Sequence, residues 1–197
     1  MKYFQTLPKL IFNGPQSAQL VTNLLARVNI VAGMLTDPLL FYAYDIQDGD
    51  NPEIIAHKYY GDMERFWIVL LSNQIFDPQW DWPLSNIVFN QYMNEKYTAE
   101  QLTETNYFEK IITQTDVVTR IVTTQNIVID EDTYNNLADS TTTYTFPSGD
   151  VIVDIKRNTV NNFTYEYNLN ESKRNIKLLN KDYADRLEIE FRKLMGT

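Results

Sequence analysis

The run Met-Glu-Arg-Phe-Trp-Ile-Val-Leu-Leu-Ser, Met63 to Ser72, constrains the fold more than any other stretch of this chain. Read as a helix from Met63 to Asn73, it is apolar nearly all round and must be buried on most sides. It is too short to cross a bilayer, so the burial has to be in protein. The residues before it read as the first parts of an enclosure. Phe41 to Ile46 is a short aromatic and β-branched strand, and Asp48-Gly49-Asp50 is a tight turn that uses the positive φ open to glycine. A helix is expected next, capped by Asn51, with Pro52 at its first position and Glu53 against its dipole. Ile55, Ala56 and Tyr59 form its apolar face, Gly61 stops it, and Asp62 caps the helix that follows. Beyond Asn73, Asp77-Pro78 and Trp82-Pro83 enforce an extended, turning chain, from which a last short strand is expected to pair back with the first.

This order of strand, turn, helix, helix and return strand resembles the LysM domain. The matching positions are Tyr44, Ile46, Gly49, Asp50, Ile54 or Ile55, Ala56, Tyr60, Gly61, Asp62, Trp67, Leu70, Asn73 and Pro78. Tyr59-Tyr60-Gly61-Asp62, Phe66-Trp67 and the run Asp77 to Pro83 are further similar to the baseplate wedge proteins of T-even-type contractile-tailed bacteriophages, products of tail gene fifty-three. That resemblance extends over the whole chain, strongest from Phe41 to Leu84 and weakest from Thr98 to Val160. It implies a virion protein of the tail baseplate, present in six copies. The partners it implies are core-bundle proteins, a sheath-initiator-like protein and the central hub or tube proteins.

Charge and composition narrow the function classes independently. A net charge of −9 with scattered basic residues argues against a nucleic-acid partner. The absence of cysteine excludes disulfides and thiolate metal sites, and suits assembly in a host bacterial cytoplasm. The first residues lack the apolar run of a signal peptide and no stretch reaches membrane-spanning length, so a soluble protein with no membrane partner is expected.

The flanking segments read as appendages. Val21, Leu24, Leu25 and Val28 are spaced as one face of a short helix in an N-terminal arm, residues 1–37. That face could cover the chain's own domain or a neighbouring subunit. The LysM-like core is placed at 38–97, its last part a helix from Ile87 to Tyr97 started by Ser85. A β-rich extension, 98–170, is expected to hold strands at Thr115 to Thr124 and Asn126 to Asp130 and a turn at Asp130-Glu131-Asp132. A hairpin joins Thr142–Phe146 to Val151–Ile155, and a further strand carries Phe163, Tyr165 and Tyr167. Residues 171–197 supply a strand, Asn175 to Leu179, and a helix, Lys181 to Met195, capped by Asn180. At about 100° per residue its Tyr183, Ala184, Leu187, Phe191, Leu194 and Met195 form one stripe, with Ile189 opposite as a candidate second contact. The expected class is α+β, and removal of the last helix is expected to spare the central unit.

Little chemistry is on offer. His57 is the only histidine and points away from the apolar face of its helix, so it is read as a surface residue. Asp48 and Asp50 flank a glycine as turn formers do, and Asp130-Glu131-Asp132 lacks the spacing of a calcium loop. Asp77 and Asp81 could be imagined as a glycosidase pair, but an aspartate before proline sets a turn. No cofactor, metal or enzymatic activity is expected. What remains is binding. The LysM resemblance implies a groove between Gly49, Asp50, Asn51 and Pro52 on one side and Ile75, Phe76, Asp77, Pro78 and Gln79 on the other, with Trp80 and Trp82 offering aromatic faces. Such grooves take N-acetylglucosamine polymers, so a peptidoglycan-binding module is the alternative to a structural wedge subunit. Single use of the module amid aromatic-rich arms favours protein interfaces, with Val21, Leu24, Leu25, Val28, Leu187, Ile189 and Phe191 as candidate contacts.

Overall fold

The computed structural model describes residues 3–13, 17–30 and 32–196. The fold is mixed α+β with antiparallel sheets, and it divides into two compact units, residues 1–88 with 170–197 and residues 89–169. The seams read from the sequence near Asp37 and Thr98 lie elsewhere than this division, which falls inside two helices.

The first unit opens with a 3-10 turn, Tyr3–Gln5, and a hairpin of β1 (Lys9–Asn13) and β2 (Ala18–Thr22). The helix expected over Val21 to Val28 does not form. Val21 pairs with Leu10 in the hairpin, and the Asn23 side chain accepts the Leu25 N–H at 3.0 Å, a local bond that takes the place of a helical turn. After a single helical turn, α1 (Ala32–Leu35), comes β3 (Phe41–Asp45). Helix α2 (Pro52–Tyr60) begins as its sequence demands: Asn51 accepts the Ile54 N–H at 2.7 Å, and Gly61 closes it in the left-handed region at φ 78°. A 3-10 turn capped by Asp62 leads into α3 (Phe66–Ser72), where Trp67, Ile68, Val69 and Ser72 are buried.

The return strand expected in the chain beyond Asn73 is absent from that place. Pro78–Asp81 is instead a short helix, α4, capped by Asp77, and Trp82 turns inward. The partner of β3 arrives from about a hundred residues further on as β8 (Asn175–Leu179), antiparallel, with Phe41 opposite Leu179 and Asp45 opposite Asn175. Ile46 N–H donating to Arg174 O and Asn180 N–H donating to Leu40 O extend the ladder at both ends. Asn73 sews α3 onto this strand, its Nδ2 donating to Val69 O and Lys177 O at 2.8 Å while its Oδ1 accepts the Lys177 N–H at 2.7 Å.

Helix α8 (Lys181–Met195), capped by Asn180, is folded onto its own chain. Ala184, Phe191 and Met195 are buried with Leu7, Trp67 and Ile68, and the Phe191 ring lies 4.8 Å from Trp67 and 5.3 Å from Tyr3. Arg65 reaches up to it and pairs with Asp185 and Glu188. The reading of Phe191 as an interface residue is therefore corrected: at 1% exposure it is core. Removing everything after Asn180 would strip this core, so the expectation that the central unit survives the deletion is corrected with it. The second cluster, Ile46, Ile55, Ala56, Val69, Trp82, Ile176 and Leu178, fills the space between α2, α3 and the β3–β8 pair.

In the second unit, a four-stranded antiparallel sheet has the order β5-β4-β7-β6. Its strands are β4 (Thr105–Asp116), β5 (Val122–Ile129), β6 (Ser140–Phe146) and β7 (Gly149–Asn161). The hairpin of β6 and β7 is the one read from the sequence. The strand expected over Thr115 to Thr124 is interrupted: its ends belong to β4 and β5, and residues 117–121 turn between them, with Asp116 accepting the Val118 and Thr119 N–H groups. Asp130 caps a short helix, α6 (Glu131–Asn136), rather than closing a turn, and Tyr134 of that helix lies 4.6 Å from the Phe108 ring. The strand expected at Phe163, Tyr165 and Tyr167 is helix α7 (Asn162–Ser172). Phe163 and Tyr167, one turn apart, both meet Phe89 of α5 (Asn86–Lys96), so their spacing reports helical neighbours and not strand alternation. Glu166 is buried there and satisfied by Lys96 Nζ at 2.6 Å and by the hydroxyls of Tyr97 and Tyr92.

Candidate functional site

The first of the two loops expected to bound a groove is held by the buried Asp50, which ties it to α2 and, through Trp82, to the segment after α4. Gly49 adopts φ 81°, which lets the chain reverse after β3 and brings the Asp50 carboxylate back over the start of α2. There Asp50 accepts from Tyr44 OH at 2.8 Å, from Gln47 N–H at 3.3 Å and from Lys58 Nζ at 2.6 Å. Burial pushes the Asp50 carboxyl up, but the hydrogen bonds from Lys58, Tyr44 and Gln47 outweigh it and hold the group below the ordinary carboxylate range. Its main-chain carbonyl accepts the Trp82 indole N–H at 2.9 Å. Asp50 is thus a brace between the first loop, α2 and the segment after α4. Tyr44 and Lys58 belong to the same brace, although nothing in their spacing singled them out.

The remaining loop residues divide by exposure. Asn51 and Asp77 spend their side chains on helix caps, and Pro52 is buried at the first position of α2. Trp82 is 8% exposed and packs in the core, which corrects its reading as an open aromatic face. Trp80 is the opposite case, 70% exposed, with its carbonyl held by Lys173 Nζ. Pro78 and Gln79 lie beside it on the exposed α4.

Larger apolar surface lies elsewhere on this unit. One groove, of about 350 Å³, runs between the N-terminal segment and α3 and is lined by Phe4, Leu24, Trp67, Leu70 and Phe76, with Arg27 stacked over the Phe76 ring. Trp67 Nε1 is buried and has no acceptor among the described residues. A second groove, of about 410 Å³, lies between Val28, Met34, Leu40 and the α8 residues Leu187 and Leu194. Leu24, Leu25, Leu39 and Leu194 are all well exposed. Of the candidate contacts, Leu24 and Val28 line these grooves, Leu187 is half-buried in one of them, and Ile189 stands exposed on the far side of α8. Sequence periodicity missed the grooves because their walls come from segments far apart in the chain.

Among the described residues no group of three or more His, Cys, Asp or Glu side chains could hold a metal ion, and no helix is long and apolar enough to cross a membrane. His57 is exposed.

Exposed leucines flank two apolar grooves, the kind of surface by which a subunit of a larger assembly meets its neighbours. The chain belongs to the family of base plate wedge protein 53, whose family model matches residues 21–194. It is accordingly a structural protein of the phage baseplate, located in the virion tail. No curated protein matches the chain.

Proposed function

We propose that the chain joins neighbouring baseplate wedges around the central hub and tube, using the first unit as a rigid brick and its apolar surfaces as clips. The partners are the core-bundle proteins, the sheath-initiator-like protein and the hub or tube proteins, with six copies per baseplate. The strand-helix-helix arrangement of β3, α2 and α3, closed by the distant β8, is a discontinuous variant of the LysM-like plan, and it supplies rigidity to the brick. The observation that carries the reading is the open apolar surface around Leu24, Leu25 and Phe76 on a member of the wedge family. Burial of such surface in standard-sized contacts, roughly 1,000 Å² or more, holds subunits together through a mechanical rearrangement.

The test is a pair of charges placed where the fold does not need the side chains, Leu24→Glu with Leu25→Glu, at 65% and 87% exposure. The variant should melt as the parent does, while wedges accumulate as separate particles in sedimentation and closed baseplates are lost. Closed baseplates at parental yield would overturn the reading. Retention of the parent on purified peptidoglycan, lost on Trp80→Ala, would shift the function to the carbohydrate-binding alternative, for which the exposed Trp80 ring is the one favourable feature.

A further inference from the structure

The β1–β2 hairpin is built unlike an ordinary surface hairpin. All ten of its residues are exposed. Cross-strand register puts Leu10 opposite Val21 and Ile11 opposite Leu20. Leu10, Phe12 and Val21 consequently share one face, and Ile11 and Leu20 the other. Exposures of 72% at Ile11, 60% at Phe12 and 65% at Leu20 mean that neither face is covered by its own chain. A solvated hairpin would show one polar face. Among the described residues neither strand is paired on its outer side, and Lys9 is the only charged residue in the two strands. A two-stranded ribbon is marginal by itself, and open edges are normally blunted.

Charge distinguishes this segment from the rest of the chain. No acidic residue precedes Asp37, whereas Lys2, Lys9 and Arg27 do. The remainder holds all 26 acidic residues against 14 basic ones. The exposed hairpin belongs to a basic, apolar stretch of a strongly acidic protein. Resting on the baseplate reading above, we infer that the hairpin takes up a third strand, an extended acidic segment of a different subunit. Backbone pairing would satisfy the open edge, alternate apolar side chains would cover Ile11 and Leu20 or Leu10 and Phe12, and carboxylates would meet Lys9. A nucleic-acid occupant is disfavoured by the net charge of −9.

The experiment places a photo-crosslinking benzoylphenylalanine at Ile11, and separately at Leu20, in the full chain during particle assembly, and maps the linked site by mass spectrometry in purified tails. The expected product joins the hairpin to another subunit, within a segment richer in Asp and Glu than in Lys and Arg. Lys9→Glu should lower the cross-link yield at least about threefold while Lys9→Arg preserves it, as expected for an exposed ion pair reversed in sign. Cross-links confined to this chain or to a second copy, links to a segment without acidic excess, or no links at all would overturn the docking while the chain's presence in tails upholds the baseplate reading. Absence of the chain from purified tails would overturn both.

Discussion

Phe191→Ala tests whether α8 is a core helix or a clip. Phe191 is 1% exposed, and its ring contacts Trp67 at 4.8 Å and Tyr3 at 5.3 Å. Truncating a buried phenylalanine costs about 3–5 kcal/mol through lost transfer energy and the cavity left behind. Aromatic pairs add roughly 0.5–1.5 kcal/mol each beyond burial. With the rings on both sides partly able to relax, about 4 kcal/mol is the expected loss. Tryptophan fluorescence reads it selectively, because Trp67, Trp80 and Trp82 all lie in the first unit. In urea the midpoint of that signal should fall by about 2 M if the slope is roughly 2 kcal/mol per molar. Leu194→Ala on the same helical stripe is the internal control: at 71% exposure it should change stability by less than about 0.5 kcal/mol. Equal losses from the two substitutions, or none from Phe191→Ala, would refute the packing of α8 described above.

Asn73→Ala removes the side chain that bridges α3 and β8, leaving the Lys177 N–H and O without it, and should cost about 2 kcal/mol in the same fluorescence titration. Asp50→Asn should cost about 1–2 kcal/mol at neutral pH, as charge-assisted bonds from Lys58 and Tyr44 weaken. Because the folded carboxyl is held below its ordinary range, its contribution is present above an unfolded pKa of about 4 and lost as pH falls through the folded value. The variant's deficit should therefore shrink on acidification, and a deficit constant from pH 7 to pH 2 would count against the brace. Gly149→Ala forces a side chain into φ 129° with its Cβ driven against Val118 Cγ2, and should destabilise the second unit by about 1–3 kcal/mol in calorimetry. An unchanged second-unit transition would show that the turn tolerates a Cβ.

Elements whose causes are local were legible before any tertiary structure. The caps Asn51 and Asn180 and the stop at Gly61 produce α2 and α8 where the residues say they should, while Asp62 caps a 3-10 turn before the apolar run through Trp67 becomes α3. Misreadings arose where one local pattern served two ends. Phe163 and Tyr167 suit a strand face or successive turns of a helix, and Val21 with Leu24 suits a helix face or the end of a hairpin. Partner choice decides such cases, and short apolar spacings carry no record of it.

The sequence by itself determined that a capped helix ending at Gly61 is followed by an apolar one that must be buried. Only the tertiary structure decided which strand closes the pair with β3, which of Trp80 and Trp82 faces solvent, and that Phe191 is spent on the chain's own core. The reason is physical. Caps and turns are satisfied by atoms within a few residues, so their signals are local, whereas pairing of Phe41 with Leu179 and burial of Phe191 against Trp67 are set by competition among distant segments for the same apolar surface.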